Sequence, residues 1–432
     1  MGLYTSDMKA YRALLAKKME MAAWVELPMW NDFIGFIGNE DGRYPKSVSL
    51  GSSETKRLKP TGKPIEVLTN FMHEGSATMD IPVLNPLTEK PIYGDKQLLG
   101  TEETRKITYK TATINQVRKG VKLRDGRMSE QYLKKPEVQR DLMTGAQADL
   151  SDFFRRWNGY QPYAAFHQRY AEHITAPVID GGLGYTAQSH PNFFVAGYTG
   201  TATGQVTFSN TKATYETNVS TALATLTDTT SDYFSTNTIE AAAFHASKLK
   251  IRRVKVSGVN EPVYCMVISP AQAVQLMRDS KWLTGQYYAA ERGDQNRLFT
   301  GILIGVYRGV AIFVDQNNPG CKISGDTDYD AARGTVNYGN SNPYSDPIDA
   351  SPRKLAILFG ASAVVAGYAS PLGFEQEVWD YKNKKTEGGQ MIVGFERADI
   401  YDTDGYYGTA GNFKENTSSL VIATYSSENV SV

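Results

Sequence analysis

The sequence predicts a mixed α+β protein of two or three subdomains. Three observations carry that expectation. A single apolar stripe of helical period runs from Pro136 to Trp157. Two strand-like runs between residues 66 and 124 flank a long excursion rich in proline and glycine. From Thr238 onward, helical and strand patterns follow one another as in a layered α/β unit. With 432 residues the chain buries a sizeable core and exceeds the size of one ordinary domain.

Composition narrows the classes. Hydrophobic residues make up 41% and charged residues 21%, which is ordinary for a globular protein. The 46 Lys+Arg balance the 46 Asp+Glu, so no net field draws the molecule to nucleic acid or to a membrane. Contact with a polyanion would need locally segregated charge. Two cysteines, Cys265 and Cys321, build neither a disulfide framework nor a four-thiolate metal site, and such sparse usage fits a reducing compartment. No apolar run reaches the roughly 18 residues of a membrane span, and the N-terminus lacks the apolar centre of a signal peptide.

Taken in order, residues 6–26 read as a helix capped by Ser6, with Met8, Tyr11, Leu15, Met19 and Ala22 on one face. The loop-rich segment 27–65 follows. One amphipathic helix and extended chain close no core, so this arm must lie on its own body or on a neighbouring copy. In 66–124, "SATMDIPVL" leads into the excursion and "RKITYKTATINQVRKGVKL" leads back. Pro82, Pro86, Pro91, Gly94 and Gly100 are expected to keep its tip, about 84–103, out of regular pairing. A loop of that length inside a compact domain is usually functional. Eight basic residues and one acid fall between Arg105 and Arg127, so the returning arm is basic.

The long helix is expected over 136–157. Pro136 suits its first turn, Glu137 complements the dipole there, and Arg155 and Arg156 precede an Asn158-Gly159 stop. Val138, Leu142, Ala146, Leu150, Phe153/Phe154 and Trp157 form its stripe. It spans roughly 30 Å, the width of a domain, and reads as a structural spine. Residues 158–235 are rich in Thr, Tyr, Gly and Ser. Beyond them come the helix "TIEAAAFHASKL", the strand "VYCMVI", and a helix opened by Ser269 as cap and Pro270 as first residue. Two strands, "GILIGVY" and "GVAIFVD", meet at a tight Arg308-Gly309 turn. After a polar loop come "KLAILFG", the small-residue segment "ASAVVAGYAS", a hairpin over 376–400 and a polar tail, 401–432.

No catalytic constellation assembles. Gly62-Lys63 is followed by proline, not Ser or Thr, so no phosphate-cradling loop forms. Gly360-Ala361-Ser362 leads into Ala and Val, which is no nucleophile elbow. The run 326–337 lacks the glycine and the bidentate Glu of a calcium loop. His167 and His173 stand six apart, a spacing without a zinc precedent. Cys265 sits in an apolar strand, Cys321 in a loop, and neither has a neighbouring His. Arg124, Asp125, Arg127 and Glu130 read as an ion-pair junction rather than an acid–base group. No enzyme, cofactor or metal is expected.

The order of the pieces does resemble a family. A basic strand pair around an excursion, "DGRMSEQ" (125–131), the long helix, "VISPAQAVQLMRD" (267–279), "RGDQNRLFTGILIGVYRGVAIF" (292–313), "FGASAVVAGYA" (359–369) and "VWDYKNKK" (378–385) follow one another. That order resembles the major capsid protein of tailed phages, in the branch of Schitovirus-type and crAss-like podophages. The likeness runs over about 75–160 and 236–398. It implies the Hong Kong-97-type capsid fold: an N-terminal arm (1–65), strands of a peripheral domain carrying the extended E-loop (66–135), a spine helix (136–157), an insertion (158–235), an axial domain (236–375), a return hairpin of the peripheral domain (376–400) and a C-terminal tail.

It also implies a function, self-assembly through pentamers and hexamers into an icosahedral shell around double-stranded DNA. The candidate interface residues are then Arg105, Lys106 and Lys110 on the returning arm, with Arg124, Asp125, Arg127 and Glu130 at its root. Lys90 and Lys96 are the loop lysines that some relatives crosslink to a neighbour's asparagine, here Asn383; no acidic catalyst is evident and no crosslink is expected. Neither is maturation cleavage of the arm. The partners implied are other copies of the chain, portal, scaffold and cement or decoration proteins, and packaged DNA held without sequence preference. The location implied is the virion, after assembly in the host cytoplasm. A phage tail or adhesion protein and an unrecognised hydrolase are the competing readings. The first would call for a fibre repeat and the second for a nucleophile–base pair.

Overall fold

A computed structural model describes residues 33–37, 62–68, 78–84, 91–94, 107–122, 136–167, 192–197, 221–256, 261–289, 303–315, 318, 321–323, 336–338, 353–379, 384–398, 400–401, 414–415 and 418–426. Two larger sheets and one long helix share a core. The five-stranded sheet holds β1 (Ile34–Ile37), β2 (Ile65–Leu68), β5 (Asn115–Lys122), β13 (Val364–Trp379) and β14 (Lys384–Arg397), in the order β1-β2-β13-β14-β5. The four-stranded sheet carries the excursion on β3 (Thr78–Leu84) and β4 (Ile107–Thr113), with β15 (Ile400–Tyr401) and β16 (Lys414–Glu415) beside them.

The six-stranded sheet runs β6-β17-β12-β7-β9-β8. Its strands are β6 (Phe193–Val195), β7 (Tyr264–Ile268), β8 (Leu303–Tyr307), β9 (Val310–Val314), β12 (Arg353–Phe359) and β17 (Ser419–Tyr425). A small ladder pairs β10 (Cys321–Ile323) with β11 (Val336–Tyr338). The longer helices among the described residues are α1 (Pro136–His167), α2 (Thr236–Lys248), α3 (Pro270–Arg278) and α4 (Ser280–Ala289).

Strand alternation divides the core into two halves. Cys265, Val267, Leu355, Ile357, Phe359, Val421 and Ala423 point to one face, where they pack with Phe154, Trp157 and Phe166 of α1 and with Val364 and Met391 of the five-stranded sheet. Their neighbours Met266, Ile268, Ala356, Leu358, Leu420 and Ile422 point the other way, onto Ile239, Ala242, Ala273, Leu276 and Trp282 of the three shorter helices. A sheet covered on both faces needs near-continuous apolar strands, and "YCMVI", "VAIFV" and "KLAILF" read that way. The turn between β8 and β9 takes positive φ at both Arg308 (46°) and Gly309 (78°), the geometry a two-residue hairpin requires. Ser269 caps α3 as expected: its hydroxyl accepts from the Gln272 N–H, and the Gln272 side chain accepts from the Ser269 N–H.

Several expectations change. The long helix does not stop at Asn158-Gly159 but continues to His167 with Pro162 inside it. An interior proline costs about 3 kcal/mol. Complete burial of Tyr163 and Phe166, each worth roughly 1.5–3 kcal/mol, offsets that cost. Pro82 lies within β3 rather than in an unpaired tip, facing Tyr109. β3 is the outer strand of its sheet, the position that tolerates a missing donor. The tail expected to be polar contributes β17, paired along its whole length with β12, and the Thr/Tyr-rich segment contributes β6 beside it. A boundary at residue 375 cuts through β13, which pairs with β14 from Val364↔Arg397 to Trp379↔Lys384, its register shifting between Tyr368 and Gly373. The expected N-terminal helix lies outside the described residues. Of the arm, Phe33 is seated on the chain's own body, edge-on between Phe313 and Phe359 at 5.1 and 5.5 Å.

Candidate assembly surfaces

The long helix is fixed to the sheets along its length. Ala146, Leu150, Phe154 and Trp157 form its buried stripe, as expected. Val138 and Leu142 have side chains outside the described set. Trp157 meets Phe395 edge-on at 6.2 Å, and Phe166 stacks on Phe359 at 5.3 Å. Polar groups reinforce both halves. In the first, the Gln147 amide donates to Oε1 of Glu387, a buried carboxylate on β14 whose Oε2 has no hydrogen-bond partner among the described residues. In the second, buried Arg397 donates from Nη1 to the Phe166 carbonyl at 3.2 Å. A cation there offsets the negative end of the helix dipole. The buried Tyr163 phenol donates to Asp315 at the end of β9. Burial first, then the Asp315 charge and that hydrogen bond, push the phenol well above its ordinary pKa. At the far edge, Ser362 donates to Glu66 at 2.7 Å and ties β13 to β2.

This body carries the excursion. β3 and β4 pair in register from Thr78↔Thr113 to Leu84↔Ile107, so the loop of residues 85–106 springs from a closed ladder end. Within it, Pro91 to Gly94 turn through a positive φ of 75° at Gly94, and Tyr93 is 77% exposed. An aromatic held that far into solvent on a proline–glycine turn has the character of a contact residue for another molecule.

The candidate interface residues lie largely outside the described set: Arg105, Lys106, Arg124, Asp125, Arg127, Glu130, Lys90 and Lys96, with the acceptor candidate Asn383. Lys110 is placed in β4, its backbone opposite Ile81. Sequence reasoning missed Glu387, Arg397 and Asp315, which hold the helix. Each meets α1 from more than 150 residues along the chain, and only the fold brings them to the helix. Among the described residues no group of three or more His, Cys, Asp or Glu side chains is placed to hold a metal. Cys265 is buried in β7, and that burial pushes its thiol up to about 12, away from nucleophilic chemistry. No described helix is long and apolar enough to cross a membrane.

The geometry is that of a body with projecting surfaces and no reaction centre among its described residues. A family model described as "Phage capsid protein" matches residues 34–428. The chain belongs to the phage capsid protein family. Its role is structural: a phage capsid protein is a component of the virion shell, built by association with other copies of itself. The tail-protein and hydrolase readings fall away.

Solved capsids share the fold at low sequence identity. The capsid protein of Ralstonia phage GP4 is 19% identical, with 89% of this chain and 97% of that chain covered at a TM-score of 0.54. The cyanophage Pam1 capsid protein is 15% identical, with 90% and 97% covered at 0.58. The head protein of Helicobacter pylori bacteriophage KHP40 is 14% identical, with 90% and 97% covered at 0.51. No curated protein matches the chain. The α+β architecture is that of the Hong Kong-97-type capsid fold.

Proposed function

We propose that this phage capsid protein closes an icosahedral shell as pentamers and hexamers around double-stranded DNA, and that the β3–β4 excursion is the E-loop by which one copy grips the next. The observation that carries the reading is the excursion itself. Twenty-two residues, 85–106, leave a paired ladder end, and the part described presents Tyr93 to solvent rather than to its own core. Such a loop contributes little to the fold that bears it, and its contact energy arises on association. In a closed shell every copy repeats that contact, and linked weak contacts act at high effective concentration.

In this reading α1 with the five-stranded sheet forms the peripheral domain, and the six-stranded sheet with α2, α3 and α4 forms the axial domain. Residues 1–65 are the arm. Arg105, Lys106, Lys110, Arg124, Asp125, Arg127 and Glu130 lie at or beside the loop's root. Lys90 and Lys96 contact the neighbour without crosslinking. The order of motifs in 75–160 and 236–398 supports placement in the Schitovirus-type and crAss-like podophage branch. Portal, scaffold and cement proteins and non-specifically held DNA are the further partners, and assembly takes place in the host cytoplasm. Sedimentation velocity and electron microscopy of the purified chain test the reading. Megadalton closed particles with five-fold vertices are expected; a protein that stays at a few copies per particle at every concentration and salt would overturn it.

A further inference from the structure

The far end of the five-stranded sheet is a three-stranded ribbon with two unlike edges. β2 pairs with β13 only along Val364–Gly367, so residues 370–379 of β13 have β14 on one side and no strand on the other among the described residues. β5 is the outermost strand on the opposite side. The ribbon is therefore β13–β14–β5, open at both edges among the described residues. Unpaired edges are templates for pairing unless charge or cover blocks them.

Charge is segregated between the two edges. β5 carries Arg118, Lys119 and Lys122 and no acid; residues 370–379 carry Glu375 and Glu377 and no base. Register places four of these groups on one face. Arg118 is opposite Gln390 and Lys122 opposite Thr386, while Glu377 is also opposite Thr386 and Glu375 opposite Gly388. Paired residues share a face, and this face is turned away from α1, because Gly389, Met391 and buried Glu387 occupy the helix side. Arg118, Lys122, Glu375 and Glu377 are all exposed. Thr386, Gly388 and Gln390 lie between the two columns, which stand two strand spacings apart, about 10 Å.

Edge to edge, a two-fold contact would set β5 against β5 or residues 370–379 against themselves, like charge against like. The two columns satisfy a head-to-tail contact, the kind that closes rings. We infer that the basic β5 edge of one copy docks beside the acidic 370–379 edge of the next, with Arg118 and Lys122 facing Glu375 and Glu377. This rests on the shell-forming role and names the surface and partner that serve it. Charge complementarity of this kind sets orientation and speeds encounter.

The test is charge reversal with restoration, in the full chain. Arg118→Glu/Lys122→Glu reverses one edge, and Glu375→Lys/Glu377→Lys the other. Each pair should leave circular dichroism and thermal midpoint unchanged while slowing light-scattering growth at least about tenfold at low salt, since like charges then meet. The fourfold exchange, with both edges reversed, should restore the wild-type rate and intact shells. Wild-type chain in the same buffer is the control. If it forms no shells, the shell-forming reading fails and takes this one with it. If it forms shells and either pair of reversals assembles at the wild-type rate, only the ribbon contact is overturned. Shells that form normally from the Arg118/Lys122 variant but retain less DNA would overturn it too, assigning the basic edge to nucleic acid. Failure of the fourfold exchange to restore assembly, with both pairs slow and folded, would also sink the head-to-tail contact.

Discussion

Gly389 on β14 lies directly beneath Phe154 of the long helix: a Cβ at that position would stand 2.6 Å from Cε2 of the ring. Phe154 is fully buried and packs edge-on against Phe153 at 5.5 Å, so the ring has nowhere to withdraw. The missing side chain lets the helix settle onto the sheet at this point. Gly389→Ala should cost about 1–3 kcal/mol by overpacking. Urea unfolding measures it, and an unchanged midpoint at unchanged slope would show that helix and sheet are not in contact there.

The Tyr163–Asp315 bond gives a second prediction. Asp315→Ala leaves a fully buried phenol without that acceptor, which costs about 1–3 kcal/mol. Combining it with Tyr163→Phe removes the stranded hydroxyl, so the double variant should be more stable than Asp315→Ala alone. Hydrogen exchange should quicken first in residues 160–167, at the helix end beside the proline. Equal stability of single and double variants would mean that the bond does not hold the helix end.

How far the sequence could be read follows from which signals are local. The stripe Ala146–Leu150–Phe154–Trp157, the Ser269-Pro270 helix start and the Arg308-Gly309 turn are written in a few consecutive residues, and the structure places them as expected. The helix extension past Gly159 was hidden because its cause, burial of Tyr163 and Phe166 against Asp315 and Phe359, lies some 150–190 residues away in the chain. The strand β17 was concealed by flanking Ser and Thr, and only its place between β6 and β12 explains a fully buried "SLVIAT". The charged columns of the ribbon were illegible for a related reason. Glu375 and Arg118 share a face only once the β5–β14–β13 register is known.

Cys265 supplies a pH-dependent test. Burial raises its thiol to about 12 in the folded chain, so between the unfolded value, near 8.5, and 12 the native state holds a proton that the unfolded state has lost. The contribution to stability is complete below that unfolded value and declines as pH rises toward 12, by up to ~1.4 kcal/mol per unit. The wild type should therefore lose stability between pH 9 and 11 more steeply than Cys265→Ala. Peptide mapping after thiol labelling at pH 8 should find Cys265 unmodified until denaturant is added. Rapid labelling of the native protein at Cys265 would contradict its placement in β7.

The proposed shell-forming role places folding and assembly in separate parts of the chain. Replacing residues 85–103 with a short Gly-Ser turn isolates the second. The β3–β4 ladder from Thr78↔Thr113 to Leu84↔Ile107 stays in place, so circular dichroism should report a folded protein. Electron microscopy of this variant, beside the wild type in the same buffer, is the deciding measurement. Folded protein and no closed particles are expected. Intact shells of wild-type diameter would contradict that division, because the excursion would then contribute nothing that assembly requires.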